Sequence, residues 1–524
     1  MWWPTWHGPT PTRFSMMWLS LVGDLTGLVE GNVYQYDERV LDQNVIQYRR
    51  VGMWTKEDAP ARGSPGRGTT SVAIDLHIRR TYTVRTGLIQ VLVFHSAHLP
   101  AIGVPGASSG APTTFCCTPE LHERGVAGCE QIGRVIVSPA AGRAGSVWQH
   151  DLPFDVNQSS AGLKTRVSVV RSGVHYLLLA SCDLQTGSVL VSGHTTWLNP
   201  YGYLPGELYP FLPFFGALSL AYVALGVVWL VLCLRHCAQL LPLQSCISAV
   251  LFLGMVETAT WYFDYVSFNA GGTRGVAPVV LGVLLSTVKK TVSRLLVLVV
   301  CLGYGVVRPT LGSVAHRVMA LGVVYFCFSA ALDVASNVSQ LSQLSVTARC
   351  GHRPPRAWPR MASHAHTCAR SLPIRACMRA CACVCRLLLI VPMALLDAFF
   401  YWWLFSGLAR TLQQLSSRRQ TAKLLLYRRF SHVLLVAVAV SALWVCWQMA
   451  IILSGTLDAR WDKLWVFDAF WHVLYLAVLL AICYLWSPSK NNLQYAYMDE
   501  LQQQEAEDED EEAEPMEATQ YKGP

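Results

Sequence analysis

The chain has 524 residues, of which 52% are hydrophobic and only 14% charged, with 18 Trp and a net charge of +8; its mean hydropathy is +0.33. So few charges beside so much apolar surface exclude an ordinary soluble globular protein. The apolar residues are unevenly spread: 1–205 is mixed and polar, 206–486 holds long apolar runs, and "DELQQQEAEDEDEEAE" (499–514) is strongly acidic.

Residues 1–31 form a poorly defined N-terminus. "RFSMMWLSLVG" supplies one Arg and a short apolar run ending at Asp24 without a small-residue cleavage site, which reads as a degenerate secretory signal.

From 32 to 205 the pattern is β. In "SVAIDLHIR", Val72, Ile74, Leu76 and Ile78 alternate with Ala73, Asp75, His77 and Arg79, the period-2 signature of a half-buried strand. "GLIQVLVFHS", "GRVIVSP", "TRVSVVRSG", "HYLLLASCD" and "GSVLVSG" follow, separated by turn residues. Short strands with no helical period between them predict an antiparallel β-sandwich. Cys116, Cys117, Cys129 and Cys182 would pair in an oxidising lumen, with three connectivities open. Asn157-Gln-Ser159 is a glycosylation sequon suited to the same compartment. His95, His98 and His175 are scattered and no nucleophile motif occurs, so the domain reads as a binding or structural module.

Spanning ~30 Å of hydrocarbon takes about 20 apolar residues. Seven segments meet that length: 208–234, 243–266, 277–304, 312–336, 387–409, 431–454 and 464–486, the fifth despite Pro392 and Asp397. With the N-terminus lumenal, nine cations fall in cytosolic loops (Arg235, Arg308, Arg317, Arg410, Arg418, Arg419, Lys423, Arg428, Arg429). Three fall opposite: Arg274, Arg460 and Lys463. The bias predicts a lumenal N-terminus and a cytosolic C-terminus. Residues 346–386 are set aside in that count. This segment carries eight Arg and six Cys, with His364 and His366 nearby. Its Cys spacing fits no standard two-pair zinc pattern, so it reads as a disordered insertion rather than a metal site.

The third span is the unusual one. "LLSTVKKTVSRLLVLVVCLGYG" (284–305) places Lys289, Lys290 and Arg294 within hydrocarbon, where each charge costs roughly 2.5–3.5 kcal/mol. At 1.5 Å per residue, Glu257 lies roughly 21 Å along the second span, the two lysines roughly 18–20 Å into the third, and Asp397 roughly 15 Å into the fifth. These groups meet at mid-depth, whereas Asp264 and Asp333 fall near span ends and read as interfacial. Cations then outnumber carboxylates, which favours a polar cavity over purely structural ion pairs. The expected walls are Glu257, Lys289, Lys290, Arg294, Asp397 and Asp468, and the expected occupant is an anionic group such as a phospholipid head. "GYG" (303–305) lacks the rest of a potassium filter and reads as a helix end.

In combination, "LGMVETATWYFDY" (253–265), "TVKKTVSRLLVLVVCLGYGVVRPTLG" (287–312), "LLDAFFYWWLFSGLARTL" (395–412), "LWVFDAFWHVLYL" (464–476) and "LWSPSKNNLQYAYM" (485–498) resemble the transmembrane protein 87 family. These are seven-helix proteins bearing a Golgi-dynamics (GOLD) domain, also called lung seven-transmembrane receptors. The resemblance covers roughly 200–345 and 387–498, and more weakly the β domain. It implies a membrane protein with a lumenal GOLD-like antiparallel β-sandwich, a seven-helix transmembrane bundle and a disordered acidic cytosolic tail from 487. It further implies Golgi residence, endosome-to-Golgi retrograde transport and a lipid-accessible cavity between helices, as in the Wnt carrier Wntless. Cation-channel and mechanosensing activities are also ascribed to the family. The chain departs in its signal, in residues 346–386, and in a last lumenal loop, "SGTLDARWDKLW", without cysteine.

"YAYM" (Tyr495 to Met498) fits a Tyr-x-x-apolar sorting signal for clathrin adaptors, followed by a solvated acidic run. The expected function is recognition of lumenal cargo or membrane lipid during Golgi retrieval. The alternative is a cation, pH-sensitive or mechanosensitive channel. A G-protein-coupled receptor ranks below both, since the third span lacks an Asp-Arg-Tyr-type triplet. No enzyme activity, metal, cofactor beyond bound phospholipid, or nucleic-acid partner is expected.

Overall fold

A computed structural model describes residues 32–41, 45–60, 69–81, 86–104, 114–139, 147–183, 185–237, 242–304, 312, 314–342, 374–418, 420–454 and 458–488. The N-terminal signal, most of the Arg/Cys-rich segment, and Tyr495 and Met498 of the sorting motif lie outside the described residues.

Eight strands build the first domain: β1 Val33–Leu41, β2 Val45–Met53, β3 Ser71–Arg80, β4 Gly87–His95, β5 Val147–Phe154, β6 Ser160–Ser168, β7 Gly173–Ser181 and β8 Val189–Leu198. They form two four-stranded sheets, ordered β1-β8-β3-β6 and β2-β7-β4-β5, with every pairing antiparallel. The predicted inward face of β3 holds: Val72, Ile74, Leu76 and Ile78 pack with Trp197, Leu177 and Ile89 in one core between the sheets.

The apolar runs of β4 and β7 break the alternation for a reason. Leu92, Phe94, Leu178 and Ala180, on the outer face of their sheet, bury against Ile102, Cys116 and Val135 of a long excursion between β4 and β5, and against Cys182 just after β7. A sheet covered on both faces needs no polar side. "GRVIVSP" belongs to that cover: contrary to the sequence expectation it makes only isolated bridges, Ile102↔Val137 and Cys116↔Val135. Two disulfides staple the cover, Cys116–Cys182 to the end of β7 and Cys117–Cys129 within the excursion. Asn157 sits exposed in the turn between β5 and β6.

Seven long helices follow among the described residues: α1 Phe211–Arg235, α2 Pro242–Gly271, α3 Val276–Cys301, α4 Val314–Ser342, α5 Ile374–Ser417, α6 Thr421–Leu453 and α7 Trp465–Leu485. Pro242 opens α2, where a missing N–H costs nothing. Gly272, at φ +74°, closes it in the left-handed conformation that favours glycine. Each helix packs on the next, α7 returns to α1, and α3 also touches α5, so the helices close into a ring. Six are long and apolar enough to cross a membrane by length and composition. The seventh, α3, has 26 residues and carries Lys289, Lys290 and Arg294.

The long α5 corrects the reading of 346–386. Its 44 residues begin at Ile374, so the last third of that segment is helical and continuous with the fifth span.

The β domain is docked on the bundle rather than tethered to it. Val33 N–H donates to the Gly272 carbonyl at 2.9 Å, and Gly206 N–H to the Gly52 carbonyl at 2.7 Å. Asn269 of α2 accepts from Leu204 N–H and donates to the Tyr201 carbonyl. Trp54 packs against Trp461 with ring centroids 4.8 Å apart and the ring planes inclined at 47°.

Candidate functional site

The three cations of α3 all point into the bundle; Lys289, Lys290 and Arg294 are 3%, 4% and 1% exposed. At 100° per residue they fan across one broad face, and each meets a different neighbouring helix. Lys289 pairs with Glu257 of α2. Lys290 Nζ donates to Asp333 Oδ2 of α4 at 2.9 Å. Arg294 pairs with Asp397 of α5.

Hydroxyls and rings complete each pair. Ser286 Oγ donates to Glu257 Oε1 at 2.5 Å, and Trp261 Nε1 donates to Ser286 Oγ at 3.2 Å. Thr287 Oγ1 donates to Asp333 Oδ2 at 3.2 Å. The Lys289 ammonium lies 4.3 Å from the Tyr475 ring centroid, and the Arg294 guanidinium 4.4 Å from that of Tyr325. Tyr475, on α7, also shares a hydrogen bond with Ser293. His472, one turn earlier on α7, lies close enough to Glu257, Lys289 and Lys290 to feel their charges. A buried charge is tolerated only when paired and hydrogen-bonded, and here both conditions are met.

Three sequence expectations are corrected. Asp333, read as interfacial, is 3% exposed and supplies the third carboxylate, so cations do not outnumber carboxylates in the core. The depth expectation ended the fourth span at 336, whereas α4 runs on to Ser342, which leaves Asp333 more than two turns inside the helix. Asp264, also read as interfacial, is buried and held by Arg274 at 2.9 and 2.5 Å. Asp468 is not brought to the α3 cations: it lies with Asp264 and Arg274 near Tyr265, with one carboxylate oxygen buried and unbonded. Glu257, Lys289, Lys290, Arg294 and Asp397 do come together. Sequence reasoning missed Asp333, His472 and Tyr475; an acid, a base and a phenol inside apolar runs were the available signal.

A second polar site lies at the domain junction. Glu207, 5% exposed, accepts from Gly52 N–H at 3.0 Å. Burial holds its carboxyl above the ordinary 4.5, opposed by the nearby Arg50 charge. Tyr201 and Tyr209 stand beside it.

The polar cluster ties α3 to α2, α4, α5 and α7. A family model described as "GOST, seven transmembrane domain" matches residues 210–355 and 374–493. The chain belongs to this family. The matched residues include all of α3, and between the two matched stretches lie 356–373. Human transmembrane protein 87A is 35% identical over 325 residues, 62% of this chain and 51% of that protein. Mouse transmembrane protein 87B is 31% identical over 329 residues, 63% of this chain and 52% of that protein. Membrane protein PTM1 of Saccharomyces cerevisiae is 24% identical over 311 residues, 58% of this chain and 52% of that protein. The resemblance to the transmembrane protein 87 family is thereby upheld. The chain spans about half the length of these relatives.

Proposed function

We propose that this GOST-family protein resides in the Golgi membrane and acts in endosome-to-Golgi retrograde transport, recognising cargo or lipid without catalysing a reaction. In this reading the β-sandwich and N-terminus are lumenal and the acidic tail is cytosolic. The bundle interior offers a lipid-accessible cavity, whose headgroup end is formed by Glu257, Lys289, Lys290, Arg294 and Asp397. Clathrin adaptors read Tyr495 and Met498.

The observation that supports this reading is the inward-facing, buried α3 cluster, whose three cations are each already paired with a carboxylate, so that a headgroup phosphate would take the place of one of them. Side chains that merely anchored a helix at an interface would point outward and snorkel. Two disulfides and an exposed sequon at Asn157 support the lumenal side. The test is Lys290→Ala: native mass spectrometry of the purified variant should show less co-purifying phospholipid, and an unchanged amount and identity would refute a headgroup role. Loss of the glycan on Asn157→Gln would mark the lumenal face.

Cation conduction is the alternative, and one observation favours it. With Asp333 counted, the core holds three cations against three carboxylates, so the objection from excess positive charge falls. Cation flux through proteoliposomes that disappears in Glu257→Gln would decide for the channel.

A further inference from the structure

On the outer face of the bundle, α4 and α5 flank a shallow, open groove of about 550 Å³, lined by Arg317, Leu321, Val324, Phe399, Trp402 and Arg410 among others. Among the described residues its lining contains no α3 residue and no carboxylate. We propose that this groove binds a glycerophospholipid of net negative charge, its phosphate held between Arg317 and Arg410 and its acyl chains laid along Val324, Phe399 and Trp402.

Three observations converge. The first is the axial order of the lining. Arg317 occupies the first turn of α4, and Leu321 and Val324 lie roughly 6 and 10 Å deeper at 1.5 Å per residue. On α5, which approaches the same boundary from the opposite direction, Trp403 and Phe399 lie roughly 10 and 16 Å deeper than Arg410. Both helices thus present a cation at one level and apolar surface below it, the profile of a lipid seen from the headgroup down.

The second is charge. Among the described residues neither guanidinium has a side-chain ion pair or hydrogen bond, in contrast to every cation of α3. Two planar forks over one recess match the oxygens of a phosphodiester. A cation in the first turn of α4 also opposes the helix dipole, so helix stability does not account for Arg317; an anion placed there satisfies the side chain and the helix end together. The third is the lack of an acidic lining at headgroup level. A zwitterionic lipid would leave its ammonium beside two guanidiniums, and the rings that could cradle it lie too deep.

The groove would be an ordinary interfacial belt if Arg317 and Arg410 only snorkelled to any lipid head. The experiment separates these readings. The full chain is placed in phosphatidylcholine nanodiscs with equal trace amounts of diazirine-acyl phosphatidylserine or diazirine-acyl phosphatidylcholine, then photolysed, and adducts are mapped by peptide mass spectrometry. Phosphatidylserine should label peptides containing Leu321–Val324 and Phe399–Trp403 several-fold more than phosphatidylcholine, with no such preference on the α6 face at Leu435–Leu443. Arg317→Gln with Arg410→Gln should bring the groove to parity. Parity in the unmodified chain, a preference spread evenly around the bundle, or a preference that survives the double substitution would each overturn the proposal. The first two comparisons need no variant, so a double variant that fails to fold leaves the question decided.

Discussion

Asp333 shows how a buried cation is judged by its partner and not by its own helix. Its carboxylate lies 2.9 Å from Lys290 Nζ in a site almost closed to solvent. Removing one member of a buried pair costs about 3–5 kcal/mol, because the remaining charge loses its counter-charge. Replacing both members with apolar residues of similar size is often neutral. Asp333→Asn should therefore lower the melting temperature of the detergent-purified chain, followed by tryptophan fluorescence. Lys290→Met combined with Asp333→Leu should recover most of the loss. If Asp333→Asn melts with the parent, the pair does not hold α3 to α4. A parent-like melt of the double variant that has lost bound lipid would separate packing from recognition.

At the scale of the element, α3 is a span whose sequence argues against its own insertion. Three cations at roughly 2.5–3.5 kcal/mol each outweigh the gain from its apolar residues, and the counter-charges come from α2, α4 and α5. In a glycosylation-reporter assay, α3 alone should pass through the translocon, and a segment running from α2 to α5 should hold it as a span. Efficient insertion of α3 alone would contradict this. In the sandwich, the counterpart is the β4–β7 sheet with its stapled cover. Breaking Cys116–Cys182 by substituting both cysteines with Ser should cost about 2–5 kcal/mol, read as a lower melting temperature of the β domain. At least as large a loss should appear in the parent chain under reductant, which also opens Cys117–Cys129.

The whole molecule is joined through a small polar seam, and two residues make it testable. A Cβ on Gly206 would lie 2.7 Å from the Trp461 ring and 2.8 Å from the Gly52 carbonyl, so that Gly206→Val cannot dock as the parent does. Hydrogen exchange of the 49–54 backbone should rise in that variant, with α2 and α3 unchanged. Glu207 adds a pH dependence. Its carboxyl is held above 4.5 by burial, so the docked state binds the proton more tightly than the open one. Docking stability is then greatest below pH 4.5, falls as pH rises through the raised value and levels off above it. Arg50 faces the same carboxylate and limits the fall. Glu207→Gln should flatten this slope in a plot of melting temperature against pH; an unchanged slope would assign the dependence to another group.

Much of this protein was legible in one dimension. Apolar run length marked the spans, and strict alternation at 71–79 marked β3 and its inner face, because both depend on local periodicity alone. The resemblance carried by the motifs of α2, α3, α5 and α7 already pointed to the family. What tertiary structure alone decided was pairing. The packing of α4 on α3 brought Asp333 to Lys290, and Asp468 came instead to the neighbourhood of Asp264 and Arg274; no count along a single helix contains such pairings. The cover over β4 and β7 turned "GRVIVSP" from an expected strand into a stapled lid, and chose among three disulfide connectivities. Register between distant segments is set by how surfaces fit, which is a property of the assembled volume and not of any window of sequence.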